Sequence, residues 1–300
     1  MVKSFLRSHI LAVFGMLIPI PGNSQPGLEI ASVEYNYYPG YKLENSGGEA
    51  FDVFTHIFRG TLRAPVFVSE KWQVLGSVQF KNFQTEQDEY AFLKNISGAA
   101  TNFTAFRGGD KWNVFLTSEI NYSSDKWSGF AFDDLIFRGG VGLLRPGIGN
   151  VEIFGAGIAA SSDFGAATIV PIVFFRMKMN ERLRFNATLP LQSRFSYRLK
   201  QNTILGVQQF VNYNAFIVSN DFRSEELHFG KIRKMTGGIF WEQKLYKNLW
   251  LTASGGALFR NVVFLYDKNR HETDKLVGGM NYLVNLKLSV KMNKNEGNFN

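Results

Sequence analysis

Histidine, the side chain best suited to moving protons near neutral pH, occurs three times after position 24 of this chain, at His56, His228 and His271. A lipid or peptide hydrolase needs a nucleophile or paired acids beside such a base. Asp267 and Asp274 flank His271, but no Gly-x-Ser-x-Gly or similar signature accompanies any of the three. All three are predicted at strand ends or in long loops, where most histidines are simply solvated. We expect no catalytic residues and no enzyme.

A second chemical motif, Gly155-Ala-Gly157-Ile-Ala-Ala160, matches the loose glycine pattern of dinucleotide-binding turns. That pattern has meaning only between a strand and a helix, whereas here it lies inside an alternating segment. The glycines are better explained by close packing of strands. The chain has no cysteine, and no metal-ligand spacing is recognisable. We therefore expect neither a cofactor nor a metal.

The charge balance is basic, with 33 Lys and Arg against 25 Asp and Glu and an isoelectric point near 9.5. Such a balance can indicate a nucleic-acid partner. The cations are not gathered in one patch or helix, however, and instead follow the polar faces of predicted strands. Nucleic acid is not an expected partner.

Those strands are read from a period-two pattern that recurs from Glu29 to Met292. Near the C-terminus, Tyr282, Val284, Leu286, Leu288, Val290 and Met292 fall on one face, and Asn285, Lys287, Ser289 and Lys291 on the other. Segments around Val74–Lys81 and Leu183–Leu189 alternate in the same way. The pattern persists through strands of 10 or more residues, and a tilted membrane strand needs about 9 to 11. The sequence predicts a transmembrane β-barrel, apolar outside and polar inside.

Strand parity assigns many cations to the lumen. We expect the following to line a pore and attract anions: Arg59, Arg63, Arg138, Arg176, Lys178, Arg184, Arg194, Arg198, Arg260 and Lys287. Lys81, Lys234, Lys244 and Lys291 share this parity, against the acids Glu34, Glu119 and Glu242. A basic wall in a confined space concentrates anions. The alternative is that these charges only make the lumen polar and pair with one another.

Aromatic residues fall on both faces. Phe115, Phe154, Phe174, Phe210 and Phe240 have inward parity and could plug the bore or form an apolar path for an amphiphile. Trp72 and Trp112 follow short turns on the lipid face, as an interfacial girdle requires. The parity of Trp250 points inward.

Short and long connections between strands alternate along the chain, as in outer-membrane barrels. The short ones lie at 69–72, 109–112, 146–150, 180–182, 200–202 and 247–248, and the long ones at about 39–52, 84–97, 124–134, 161–167, 218–232 and 267–276. A tight bend near Pro190 completes a closed antiparallel barrel of 14 strands. If residues 183–199 form a loop instead of two short strands, the count is 12.

The N-terminus has the order of a secretory signal peptide, with Lys3 and Arg7 ahead of an apolar stretch from Ile10 to Ile20. Small residues at Gly22 and Ser24 suit cleavage before Gln25. We expect residues 1–24 to be the signal peptide and residues 25–300 to form one barrel domain. A membrane anchor is the less favoured alternative, because the apolar run is too short to span a bilayer.

With Gln25 after the signal, the turn openings Lys71-Trp72 and Lys111-Trp112, and the run from Leu189 to Arg198, the chain resembles the uncharacterised outer-membrane β-barrel families of Gram-negative bacteria. The resemblance covers nearly all of the mature chain and implies an outer-membrane location and fold, without a substrate. The chain departs from the common barrel ending, because Asn300 follows the aromatic Phe299.

These observations leave three functions. The first is a channel or transporter for small anionic or amphiphilic solutes, with outer-membrane lipid as the surrounding partner. The second is a structural or adhesive barrel that presents external loops, and the third, more distant, is a lipid hydrolase. The sequence does not determine the oligomeric state.

Overall fold

The structure is a computed structural model that describes residues 28–292 except 88, 110, 127–133, 148, 163–167, 220, 223 and 225–226. One 3-10 turn (Ala91–Leu93) accompanies the strands. The strands are β1 (Leu28–Glu44), β2 (Ala50–Val68), β3 (Trp72–Glu86), β4 (Asn95–Arg107), β5 (Asn113–Ser124), β6 (Ile136–Pro146), β7 (Val151–Ser161), β8 (Thr168–Lys178), β9 (Leu183–Leu189), β10 (Gln192–Lys200), β11 (Thr203–Ile217), β12 (Phe229–Tyr246), β13 (Leu249–Tyr266), β14 (Glu272–Gly278) and β15 (Asn281–Met292). Within the described part, no helix is long and apolar enough to cross a membrane.

The strands form a closed antiparallel barrel. From β1 to β13 each strand pairs with the next, and β15 pairs with both β13 and β1, which closes the ring. β14 also lies between β13 and β1, so β14 and β15 are two segments of one wall strand, interrupted at Gly279 and Met280. The prediction of 14 strands is therefore confirmed. The two short strands β9 and β10 are present as a hairpin.

We name the two ends of the barrel by their connections. The turn end carries the six short connections, which lie where the sequence predicts them. The loop end carries the longer ones, several of which are shorter than predicted. β1 reaches Glu44 and β2 begins at Ala50, so the first loop is confined to residues 45–49. The predicted loop began at Pro39 and Gly40, which β1 instead accommodates at a β-bulge between Tyr38 and Tyr41.

The outer surface is apolar and the inner surface polar, the reverse of a soluble protein. On β15, Tyr282, Val284 and Leu286 are exposed, whereas Asn285 and Ser289 are buried. On β3, Val78 and Phe80 are exposed, as predicted. Because successive side chains of a strand point to opposite faces, this alternation gives the barrel a continuous apolar belt.

β-Bulges shift this parity at two predicted positions. A bulge between Val151 and Ile153 sets Phe154 opposite Phe175, and Phe154 is 47% exposed. In β13, Leu258 and Arg260 pair with the adjacent residues Thr236 and Met235, so Phe259 is the extra residue. Arg260 thus shares the outer face with the exposed Met235. The inward directions predicted for Phe154 and Arg260 are wrong, because each bulge inserts one residue into the period of two.

The loop end of the lumen is filled with apolar side chains. Its core cluster is made of Tyr38, Tyr41, Leu43, Val53, Ile57, Phe83, Phe92, Leu93, Ile96, Phe216, Val218, Ile232, Leu258, Val263, Leu265, Leu276 and Leu283. The end of β11 and the residue after it contribute Phe216 and Val218; here β11 stays paired with β12 and also pairs in parallel with β5, with Ile217 opposite Ser124. We call this cluster the loop-end core.

Candidate functional site

A polar cavity of about 260 Å³ lies inside the barrel, lined by residues of β2 to β6 and β11. Its charged lining consists of Arg59, Lys81, Arg138 and Glu119. Amide side chains complete it, among them Gln79, Asn121, Asn212 and Asn214. Three cations therefore face one acid, and the amides can donate further hydrogen bonds. We call this cavity the basic chamber.

The cations of the basic chamber differ in how they are paired. Arg59 Nη1 lies 3.2 Å from Glu34 Oε2, and Arg138 Nη1 lies 2.9 Å from Glu119 Oε1. Among the described residues, no acidic side chain lies within ion-pair distance of Lys81. Lys81 is thus the chamber cation whose charge is not neutralised by a direct contact.

A second buried lysine, Lys234, lies beside the chamber in an aromatic box. Its Nζ is 4.0 Å from the centre of the Tyr38 ring and 4.9 Å from that of Phe83. Among the described residues, its Nζ has no hydrogen-bond partner. A cation over ring faces is attracted by their quadrupoles, so Lys234 bridges the basic chamber and the loop-end core.

Closer to the turn end, the lumen is a network of ion pairs. Glu242 forms ion pairs with Arg194 at 2.8 Å and with Lys291 at 3.3 Å. Lys287 forms an ion pair with Glu29 at 2.7 Å. Arg184 Nη2 lies 3.5 Å from Glu152. Parity had not placed Glu29 or Glu152 inside. Each lies beside a β-bulge, at Glu29/Ala31 and at Val151/Ile153, where the period of two is broken.

The structure divides the predicted pore-lining residues into groups. The basic chamber brings together Arg59 and Arg138 and adds Lys81. The inner wall of β8 to β10 carries Arg176, Lys178, Arg184, Arg194 and Arg198. Arg63 and Lys287 lie on the inner faces of β2 and β15, where Arg63 donates to the Glu29 carbonyl. Arg260 belongs to none of them.

On the wall of β8 to β10, two cations lie directly opposite each other. Lys178 of β8 pairs in register with Arg184 of β9, and like charges in that arrangement repel. Arg176 is held by a hydrogen bond from its Nε to Asn186 Oδ1, 3.0 Å long. The close cations make this wall a second basic surface inside the barrel.

Aromatic residues fill part of the remaining bore. Phe115 and Phe174 contact edge to face with their centroids 4.8 Å apart, and Arg194 stacks 3.8 Å above Phe240. Trp72 and Trp112 are exposed, as predicted for a girdle, and Trp250 is buried inside.

His56 and His271 each have an acidic partner. His56 lies within β2 on the outer face, where its Nδ1 is 2.7 Å from the Tyr35 hydroxyl and its Nε2 is 3.7 Å from Glu86. His271 lies in a loop with Asp267. The backbone N–H of His271 donates to Asp267 and holds the pKa of that carboxyl below its usual value. Within the described ranges, no three His, Asp or Glu side chains are arranged to hold a metal ion.

Comparisons with known proteins give a family and a general fold. A family model described as "Domain of unknown function (DUF6268)" matches residues 69–295. No curated protein shows significant sequence similarity to the chain. Among solved structures, an outer membrane channel from Pseudomonas putida F1 is similar with 8% identity and a TM-score of 0.44, covering 90% of this chain and 99% of that one.

Two further solved structures have different activities in their descriptions. The toluene transporter TodX from Pseudomonas putida has 8% identity and a TM-score of 0.33, covering 87% of this chain and 89% of its own. The outer membrane protease OmpT from Escherichia coli has 8% identity and a TM-score of 0.31, covering 88% of this chain and 97% of its own. The barrel thus resembles outer-membrane proteins of Gram-negative bacteria, and these similarities carry no argument about function.

Proposed function

This chain belongs to the DUF6268 family, and we propose that it is an outer-membrane barrel that binds and passes small anionic or amphiphilic solutes. The observation that carries the proposal is Lys81, which lines the basic chamber and has no acidic partner within ion-pair distance among the described residues. The proposal treats the chamber as the place where a solute's negative charge is held.

The outer-membrane location is supported by the surface of the barrel. Its outward side chains are large and apolar through the middle of the wall, for example Leu62, Val78 and Leu286. Trp72 and Trp112 flank this belt at the turn end, and Arg107 and Arg145 stack on them at 5.8 Å. Short turns normally face the periplasm. We accordingly assign the turn end to the periplasm and the loop end to the cell exterior.

The physical basis of anion binding is the low dielectric of the wall and of the lipid around it. In such surroundings a fixed positive charge acts more strongly on a mobile anion than it does in bulk water. The amides of Asn212 and Asn214 add neutral donors whose dipoles orient toward negative charge. Size limits the ligand's polar part, because the chamber holds about 260 Å³.

The test is binding and conduction by the full-length barrel. Octanoate binding to the detergent-solubilised protein is measured by calorimetry, and ion selectivity is measured in planar bilayers under a KCl gradient. We expect octanoate to bind, and Lys81→Gln to weaken binding about tenfold because a charge-assisted contact is lost. Lys71→Gln, which removes an exposed lysine at a short turn, is the matched control. A barrel that binds octanoate no better than octanol, or that prefers cations, contradicts the proposal.

A second function, a structural barrel presenting its loops, is favoured by the loop-end core. This core packs Phe216, Phe92 and Ile96 inside the barrel with little or no exposed surface. A barrel filled at one end needs no bore in order to present loops. The absence of channel conductance in planar bilayers, together with the absence of octanoate binding, would favour this second function.

A further inference from the structure

Three cations lie close together on the outer face of the barrel near the loop end. They are Arg233 of β12, Arg260 of β13 and Lys275 of β14. The strand register sets Arg233 opposite Val262, and Val262 opposite Val277, two residues from Lys275. At about 4.8 Å between strands and about 3.3 Å per residue, the backbones of the three cations lie within about 14 Å of one another. We call these three residues the outer cation patch.

The outward direction of the patch follows from alternation along its strands. On β12, Lys234 is buried inside the lumen, so the neighbouring Arg233 points outward. On β14, Leu276 belongs to the loop-end core, so Lys275 points outward. Arg260 is exposed, and the β-bulge of β13 places it on the outer face. The three cations therefore face the membrane and not the basic chamber.

Aromatic rings lie beside two of these cations on the same face. Arg233 Cζ is 5.5 Å from the centre of the Tyr213 ring, and Lys275 Nζ is 5.7 Å from the centre of the Phe264 ring. A ring face attracts a cation through its quadrupole without neutralising the charge. Tyrosine is also enriched at the level of the lipid head groups. The rings thus hold the side chains in place and leave their positive charge available to a ligand.

Acidic residues lie at the borders of the patch and do not neutralise it. Glu44 of β1 lies opposite Val277, and Glu272 lies at the loop-end limit of β14. Among the described residues, neither these two nor any other acidic side chain lies within ion-pair distance of the three cations. On the adjacent strands β2 and β3, Asp52 and Glu86 are exposed near the same end. The patch is therefore a positive segment of the outer face with acids on its β1 side.

The patch lies at the level of the lipid head groups. Leu245, Trp241, Ile239 and Met235 are exposed along the outer face of β12. At about 3.3 Å per residue and a tilt near 40°, the segment from Met235 to Leu245 spans about 25 Å. The apolar band of an outer-membrane barrel is about 25 Å tall. Arg233, two residues beyond Met235 on the same face, therefore stands just outside the hydrocarbon at the loop end.

We propose that the outer cation patch binds the phosphate monoester of an outer-leaflet lipid, whose acyl chains lie along the apolar belt below it. The two guanidinium groups present planar pairs of N–H donors that match phosphate oxygens, and Lys275 adds a compact positive charge. A phosphate monoester carries a charge of about −1.5 to −2 at pH 7, more than a phosphate diester does. Charge complementarity thus favours the monoester.

The apolar surface below the patch favours a lipid over a soluble phosphate. Phe259 is 48% exposed, directly before Arg260 in the chain, and Met235 is exposed opposite Arg260. A lipid covers these side chains with its acyl chains while its phosphate meets the cations, whereas free phosphate uses the cations alone. This inference rests on the location and orientation given under the proposed function, and it does not depend on the passage of a solute.

The test is native mass spectrometry of the detergent-solubilised barrel titrated with dimyristoyl lipids. Phosphatidic acid is the phosphate-monoester probe, phosphatidylglycerol is the diester and phosphatidylcholine is the zwitterionic reference. We expect the first association constant for phosphatidic acid to exceed that for phosphatidylcholine at least about fivefold, because one Lys or Arg near anionic lipid contributes about that factor. Phosphatidylglycerol should fall between them. Combining Arg233→Gln, Arg260→Gln and Lys275→Gln should lower phosphatidic acid to the level of phosphatidylcholine.

A matched control removes the same charge from the turn end. Arg182→Gln, Lys200→Gln and Lys247→Gln together replace three exposed cations at short turns, and the preference for phosphatidic acid should persist. Equal binding of phosphatidylcholine by all three proteins reports that the apolar belt is intact. Calorimetry with inorganic phosphate should show no binding that the patch variant loses.

The outcomes separate this inference from the proposed function. Equal preference for phosphatidic acid in the patch variant and the control, or no preference in the wild type, overturns the lipid site. Binding of inorganic phosphate that the patch variant loses would assign the patch to a soluble anion and overturn the lipid site as well. If octanoate still binds in a Lys81-dependent manner in those cases, the proposed function stands. A patch-dependent preference for phosphatidic acid without octanoate binding supports the lipid site and contradicts the solute site.

Discussion

Arg194 of β10 reaches past β11 to Glu242 of β12, with 2.8 Å between Nη2 and Oε1. Lys291 of β15 approaches the same carboxylate at 3.3 Å, and Thr252 of β13 donates to it at 3.3 Å. One acid therefore ties together four wall strands from inside the lumen. The carboxylate is almost completely buried, at 3% side-chain exposure. It is the counter-ion that neutralises Arg194 and Lys291 inside the lumen.

Removing that acid should destabilise the barrel strongly. Glu242→Ala leaves the buried Lys291 without a counter-ion beside the partly exposed Arg194, and breaking a buried pair costs about 3 to 5 kcal/mol. The measurement is the denaturant midpoint of the detergent-solubilised protein. Glu181→Ala, at an exposed turn position, should shift the midpoint little. Equal shifts in the two variants would show that the pair adds nothing to stability.

A charged substitution on the outer face should destabilise the barrel more than the same substitution on the inner face. Val78→Arg places a cation in the apolar belt and should cost about 2 to 4 kcal/mol near the bilayer midplane. Ser77→Arg, one residue earlier on the half-buried inner face, should be mild. Ser289 is a poor inner control because it is fully packed. The readout is folding free energy in lipid vesicles, and similar costs at 77 and 78 would mean that the register of β3 is misassigned.

The basic wall of β8 to β10 should set ion selectivity if the lumen conducts. Replacing Arg176 and Arg198 together with Gln removes two inward cations and should move the reversal potential under a KCl gradient toward cation preference. The shift should shrink in 1 M salt, since the Debye length falls from about 10 Å at 0.1 M to about 3 Å at 1 M. A shift of the same size at both salt concentrations would assign the effect to pore shape.

The loop-end core should block the passage of ions through the lumen. Phe216→Ala removes a fully buried ring that stacks near Phe92, so we expect a loss of about 3 to 5 kcal/mol together with a higher conductance. Ile239→Ala on the exposed outer face controls for truncation alone and should leave the conductance unchanged. An unaltered conductance in Phe216→Ala would place the constriction elsewhere.

A folded barrel of this size should be heat-modifiable. Because its backbone hydrogen bonds run around a closed ring, the unboiled protein should stay compact in SDS and change its gel mobility on boiling. Circular dichroism in detergent should show mostly strand. A large helical signal, or an unchanged mobility after boiling, would contradict the fold.

Sequence by itself determined the barrel and the faces of most strands, and it reduced the number of crossings to 14 or 12. Alternation is a local property, and one chain segment such as Tyr282–Met292 is enough to separate Leu286 from Asn285. The short turns and the bend near Pro190 predicted 14, and the pairing of β9 with β10 excluded 12. The signal peptide predicted over residues 1–24 lies outside the described residues, and it stays a prediction.

Only the tertiary structure decided which charged side chains point into the lumen and which of them form ion pairs there. Bulges moved Phe154 and Arg260 outward and left Glu29 and Glu152 inside, because a bulge forms where paired strands need an extra residue, and that depends on the partner. Arg194 meets Glu242, Lys81 shares a cavity with Asn212, and Ile217 reaches Ser124 only once the sheet has closed. Contacts across a lumen depend on the curvature and stagger of the whole ring, which no single strand encodes.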